Sequence, residues 1–295
     1  MSVTTTKQFA TKQGERLLRG LTIQVARTIR AHGVNEVHDL RVAIRRYLRT
    51  LVVFKPCFPS GESRRMRRSL KRIMTQAGSV RDCDIAMQLI IRLRTPESGP
   101  MAQQLRERRE QAAELLTGSL VRWTERKLTA AWRKAVAAAD ERAKKDDRFC
   151  GTSIGTTAKR ILPEMALELF RHGRTATHED ASVEEVHEFR IATKNLRYTL
   201  DLFAPLYGPP LTGMASQFKT VQGLLGDFND CATARRLVVR QKISKQPGGK
   251  EILAALKKRQ KKKLAQFQKE FTPVFSDAST LKSWKEATAG IRPLS

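Results

Sequence analysis

The chain has 295 residues, is 40% hydrophobic and carries 56 Lys+Arg against 29 Asp+Glu, a formal charge of +27 with a pI near 10.7. The apolar share excludes a compositionally disordered chain, and no run of about 18 apolar residues marks a membrane-spanning helix. The charge far exceeds the ~2–8 that keeps a small domain soluble, so it points to a polyanionic partner such as nucleic acid, a polymer of inorganic phosphate or an acidic membrane surface.

In chain order, a first helix is expected from about Phe9 to Ile29, with Gly33 just beyond its end. A second covers roughly 35–55, where Val37, Leu40, Ile44, Leu48 and Leu51 recur every three or four residues. Pro56 to Gly61 breaks it. A strongly basic helix follows from about Glu62 to Ala77, Gly78 is expected to end it, and the next runs from near Asp82 to about Arg94. Thr95 to Pro100 reads as a loop before a long polar helix over about 101–143, with Gly118 as a point of interruption.

The second half follows the same plan. A helix near 156–172 ends at Gly173, and a polar loop of about 174–183 leads to a helix over roughly 184–204. Pro205 to Gly213 breaks the chain, a helix at about 214–225 ends at Gly226, and another starts near Asp230. Gln246 to Gly249 is a loop, a basic helix runs from about Lys250 to Phe271, and a short one lies around Thr280 to Ala289. No convincing alternating strand pattern occurs, so the fold class is all-α.

Two landmarks repeat. Val37-His38-Asp39-Leu40-Arg41 with Arg45-Arg46 returns as Val186-His187-Glu188-Phe189-Arg190 with Lys194-Asn195. Leu70-Lys71 through Gly78 to Asp82-Cys83 returns as Phe218-Lys219 through Gly226 to Asp230-Cys231. An internal duplication is therefore expected, with residues 1–150 and 151–295 forming two pseudo-symmetric helical bundles.

His38, Arg41, Arg45 and Arg49 fall three and four apart, so they form one polar stripe with Arg46 beside it. His187, Arg190, Lys194 and Arg197 reproduce that stripe, with Tyr198 adjacent. Cations in a row repel unless glutamates intervene at four-residue spacing. Asp39 and Glu188 lie off the line, which argues for an anionic ligand over a solvated face. Arginine suits phosphate because its planar fork donates two parallel hydrogen bonds.

The helix after the first break adds Arg64, Arg68, Lys71 and Arg72 on one side, and its second-half counterpart keeps mainly Lys219. The run Lys257, Lys258, Arg259, Lys261, Lys262, Lys263 must wrap most of a helix, and Lys257, Lys258 and Lys261 are chosen from it as ligand contacts. Asp82 and Asp230 are placed to cap the following helix or to pair with a signature arginine. No metal site and no cofactor are expected. Cys57, Cys83, Cys150 and Cys231 form no C-x-x-C pair and suggest no disulfide framework, and Met1 to Lys12 lacks a signal-peptide core, so a reducing cytoplasm is the expected compartment.

The landmarks resemble those of the CHAD family, named for conserved histidines in an α-helical domain. The resemblance rests on the two His-x-x-Arg segments with their downstream cations, on Leu196-Arg197-Tyr198, and on Gly78-Ser79-Val80-Arg81-Asp82 and Leu225-Gly226-Asp227-Phe228-Asn229-Asp230. It extends over about residues 10–290. It implies two four-helix bundles related by a pseudo-two-fold axis, a basic surface or central channel, binding of inorganic polyphosphate and association with polyphosphate granules. The acidic E-x-E-x-K strand of the triphosphate-tunnel domain that precedes some relatives is not found, so the stand-alone form is expected.

The expected function is non-catalytic polyphosphate binding in the cytoplasm, without membrane attachment. The alternative is a nucleic-acid backbone binder. Aromatics are only 6% of the chain and no helix-turn-helix, zinc-finger or RNP signature is evident. No P-loop, H-E-x-x-H or nucleophile elbow supports an enzyme.

Overall fold

Helical periodicity in the sequence becomes helix throughout the described chain. The computed structural model describes residues 4–142, 148–206 and 212–289, without the side chains of 139–142, 148, 212–219 and 289. The helices are α1 (Thr6–Arg30), α2 (Val34–Val53), α3 (Ser60–Ile91), α4 (Ser98–Glu125), α5 (Leu128–Arg142) and α6 (Arg148–Gly151). They continue as α7 (Ile154–Ala176), α8 (Val183–Phe203), α9 (Thr212–Arg240), α10 (Gly249–Ser276) and α11 (Ala278–Ala289). Among the described residues there is no strand, only an isolated bridge between Thr5 and Ser153.

Side-chain caps fix several helix starts. Thr5 and Gln8 form a capping box ahead of α1, and Ser182 and Glu185 form another ahead of α8. Asp277 opens α11 and accepts from the hydroxyl and then the backbone N–H of Ser279 and from the hydroxyl and backbone N–H of Thr280; those hydrogen bonds lower its carboxyl to about 2.

Expected stops at glycine fail at three places. α3 runs through Gly78, α9 through Gly226 and α7 through Gly173. A mid-helix glycine costs only about 1 kcal/mol relative to alanine, which packing easily outweighs. Gly173 serves close packing, because a Cβ there would lie 2.4 Å from the Phe275 ring. Asp82 and Asp230 consequently sit inside α3 and α9 and cap nothing. The long polar helix also differs: it continues past Gly118 and breaks at Lys127, whose φ of 48° is left-handed. α10 passes Phe271 and Pro273 to end at Ser276.

The chain divides into two compact units, Met1–Arg81 with Glu107–Thr157 and Asp82–Arg106 with Ala158–Ser295. The segment Asp82–Arg106, which the sequence repeat assigns to residues 1–150, lies in the second unit. In the first unit, Phe9, Leu18, Leu21 and Val25 of α1 meet Val37, Leu40, Ile44, Tyr47 and Leu51 of α2 in a buried seam. Burial of each such side chain contributes about 1.5–3 kcal/mol. Phe9 packs edge-on to Phe54 at 6.0 Å, and Phe58 lies 5.8 Å from Trp132.

In the second unit, Ile85, Ala86, Leu89 and Ile90 from the end of α3 and Met101 and Leu105 from the start of α4 enter one core. They meet Cys231, Ala234 and Val238 of α9, Ile243 of the following turn, and Ile252 and Leu256 of α10. A second cluster joins Phe189 of α8 to Phe267 and Phe275 of α10, with Phe170 and Trp284 against Phe275. These apolar faces turn the polar stripe of each signature helix outward.

Candidate functional site

In the first unit the stripe on α2 lies along α3, and three contacts fix the register. Arg41 Nη1 donates to the Met74 carbonyl at 3.2 Å. A Cβ built on Gly78 would lie 3.1 Å from the same nitrogen. Arg81 exerts the largest charge effect on His38. Position 41 thus sits level with 74 and 78, and 38 with 81, so the helices run antiparallel. Carried one turn further by the equal rise of both helices, Arg45 stands level with Lys71 and Arg49 level with Arg68. Gly78 explains how the guanidinium reaches the backbone: without a side chain one turn on, the Met74 carbonyl stays open to a second donor.

Arg41, Arg45 and Arg49 are half-buried, while His38, Arg46, Arg68, Lys71 and Arg72 are exposed. The side chains of Arg45, Arg68, Lys71 and Arg72 make no hydrogen bond or ion pair with another described residue. Burial, then the Arg81 charge, with Arg45 and Arg41 adding to it against Asp39, holds the His38 imidazole below its ordinary 6.5. An anion placed against those arginines would act in the opposite direction and favour the protonated imidazole.

The stripe on α8 lies along α9. Arg197 donates to Gln222 Oε1 and its guanidinium carbon lies 5.3 Å from the Tyr198 ring centroid. Arg236 of α9 acts on His187, whose imidazole is likewise held below 6.5 by burial first and then by Arg190, Arg236 and Lys194. His187 is exposed, and Arg190, Lys194 and Arg197 are half-buried. Gly226 has nothing within 4 Å of a built Cβ, so no close approach like that at Gly78 occurs. The Lys219 side chain lies outside the described residues.

The basic run on α10 splits by face. Leu256, Arg259, Gln260 and Lys263 turn toward α9: Arg235 donates to Gln260 Oε1 at 2.6 Å and Lys263 pairs with Asp227 at 2.9 Å. Lys257, Lys258 and Lys261 are exposed, project from the side away from α9, and make no hydrogen bond or ion pair with another described residue.

Every described Phe, Tyr and Trp side chain except Phe149 is buried. The basic surfaces therefore offer no aromatic platform among the described residues. No helix among them is long and apolar enough to cross a membrane.

A family model described as CHAD domain matches residues 13–239. The chain belongs to the CHAD family. No curated protein sequence matches it significantly. Its fold is similar to the crystal structure of the CHAD domain from the plant Ricinus communis, at 20% identity and a TM-score of 0.69 over 99% of this chain and 94% of that one. It is also similar to PptA from Streptomyces chartreusis, at 15% identity and a TM-score of 0.57 over 90% of this chain and 99% of that one. The CHAD match takes in α2, α3, α8 and all but the last residue of α9, and stops before the basic run of α10.

Two residues of this CHAD chain that sequence reasoning did not place in a site are Arg81 and Arg236. The charge of each acts on a signature histidine from the neighbouring helix. Arg81 follows Lys71 and Gly78 at helical spacing, which would have placed it on the same face had α3 been read as unbroken. Arg236 lies two turns beyond Asn229, the position that aligns with Arg81.

Proposed function

We propose that this CHAD chain binds inorganic polyphosphate, without catalysing its turnover, and that this binding brings it to polyphosphate granules. The reading is supported above all by the α2–α3 pair, where two antiparallel rows of Arg and Lys face the same side. The side chains of Arg45, Arg68, Lys71 and Arg72 in those rows make no hydrogen bond or ion pair among the described residues. Polyphosphate has dense charge and no bases. The buried aromatic side chains and the exposed cations suit such a ligand better than a single-stranded nucleic acid, which is held largely by stacking. Family membership adds to this, since CHAD domains are associated with polyphosphate-related proteins.

Multiple contacts to a phosphate chain release condensed counterions, so affinity should fall steeply with salt and rise with chain length. The deciding experiment is competition between polyphosphate and single-stranded DNA of equal charge. Displacement of DNA by polyphosphate at equal charge concentration, with no phosphate released in Mg²⁺ or Mn²⁺, is the expected result. Preference for DNA would replace the reading with nucleic-acid binding, and phosphate release would replace it with an enzyme.

A further inference from the structure

We propose that Cys57 and Cys150 are the site of an intramolecular disulfide, formed by a peroxide, that ties the turn after α2 to α6. Both belong to the first unit, both are buried, and neither is bridged in this structure. Their sulfurs lie 2.7 Å apart, so a movement of less than about 1 Å brings them to bonding distance.

The two backbones that carry them are fixed independently. Cys57 closes a 3-10 turn over Lys55–Cys57, with its N–H donating to the Phe54 carbonyl at 2.9 Å, and Phe54 is locked against Phe9 of α1. Cys150 lies just before Thr152, whose carbonyl accepts from the Thr6 N–H and the Thr6 hydroxyl, both at 2.8 Å. Thr6 also meets the Thr157 hydroxyl at 2.7 Å, and Ile154 N–H donates to Thr4. α1 thus holds both cysteine-bearing segments against itself, and the thiols face each other without any rearrangement of the chain.

The chemistry closes without a group the protein lacks. One thiol attacks the peroxide O–O bond, giving a sulfenic acid and one water. The second thiol then displaces the sulfenic hydroxyl, forming the S–S bond and releasing a second water. Both sulfurs are oxidised, the peroxide is reduced, and both thiol protons leave in water. Cys83 and Cys231 provide an internal contrast: both are buried in the second unit, and burial pushes the Cys231 thiol up, which slows its oxidation.

The partners are 93 residues apart, so the bond closes a long loop and restricts the unfolded chain strongly. The test treats the full reduced chain with hydrogen peroxide, maps cysteine peptides without reduction, and follows thermal unfolding. The expected product is a Cys57–Cys150 linked peptide, with Cys83 and Cys231 still alkylated after unfolding. Tm should rise by roughly 5–15 °C, reversed by dithiothreitol and absent in Cys57→Ser and Cys150→Ser. Sulfinic acid at either residue without a linked peptide, pairing scrambled onto Cys83 or Cys231, or a linked chain with unchanged Tm would each overturn the proposal. The peptide map of the wild-type chain decides the matter even if a serine variant folds poorly.

Discussion

The α2–α3 and α8–α9 ridges carry the same row of histidine and cations but secure it differently. On α2, Arg41 is anchored to a backbone carbonyl exposed at Gly78, and Arg81, Lys71 and Arg68 supply further charge from α3. On α8, Arg197 is anchored to the Gln222 amide, Asn195 and Asn229 stand where the first half has Arg46 and Arg81, and only Arg236 acts on the histidine from α9. A backbone anchor orients a guanidinium. Under the proposed function, the second row of cations on α3 would let a phosphate chain make contacts on both sides. The first ridge should therefore bind polyphosphate more strongly than the second.

The sharpest way to break that ordering is charge reversal. Arg45→Glu with Lys71→Glu should weaken polyphosphate binding by about 100-fold, since two charge-assisted contacts are lost and repulsion replaces them. Lys194→Glu with Arg197→Glu should cost roughly tenfold in the same titration. Equal losses would remove the distinction between the ridges.

Packing substitutions give a smaller, two-sided test. Gly78→Ala places a methyl 3.1 Å from Arg41 Nη1 and should weaken binding by about 3-fold, because the guanidinium must shift by a few tenths of an ångström against the Met74 carbonyl. Gly226→Ala meets nothing within 4 Å and should leave binding unchanged while raising stability by about 0.5–1 kcal/mol in denaturant unfolding. Gly173→Ala, driven into the Phe275 ring, should instead destabilise by about 1–3 kcal/mol.

Acidity should produce the mildest effect. The free imidazoles of His38 and His187 are held below 6.5, and bound phosphate raises them, so the complex holds more protons than the free protein. Binding should tighten as pH falls toward and below 6.5, by no more than about tenfold per pH unit for each histidine. Stability of the free protein should move the other way, since below 6.5 the unfolded chain takes up those protons first. His38→Gln should flatten the binding profile more than His187→Gln does.

Local pattern made much of this legible. The apolar spacing of α1, α2 and α8 gave their extents to within a few residues, because each buries one continuous face. Helix ends were harder. Gly78, Gly173 and Gly226 read as stops yet sit inside helices, whereas real ends at Arg94, Lys127 and Lys242 use left-handed basic residues that no pattern announces. The same misreading at Gly78 hid Arg81, since a broken helix gives no common face. The charge stripes on α2 and α8 were legible from spacing. Which α3 or α9 residue stands beside each was not, because inter-helix register depends on packing between residues far apart in the chain.

The account rests on the cations of α2 and α3 neutralising a phosphate polymer. A polyphosphate titration across a salt series, comparing wild type with Arg45→Glu plus Lys71→Glu, tests it most directly. The expected outcome is a log–log slope for wild type that is steep and becomes shallower by about two in the variant, with affinity lost at every salt concentration. An unchanged slope and affinity in the variant would contradict it.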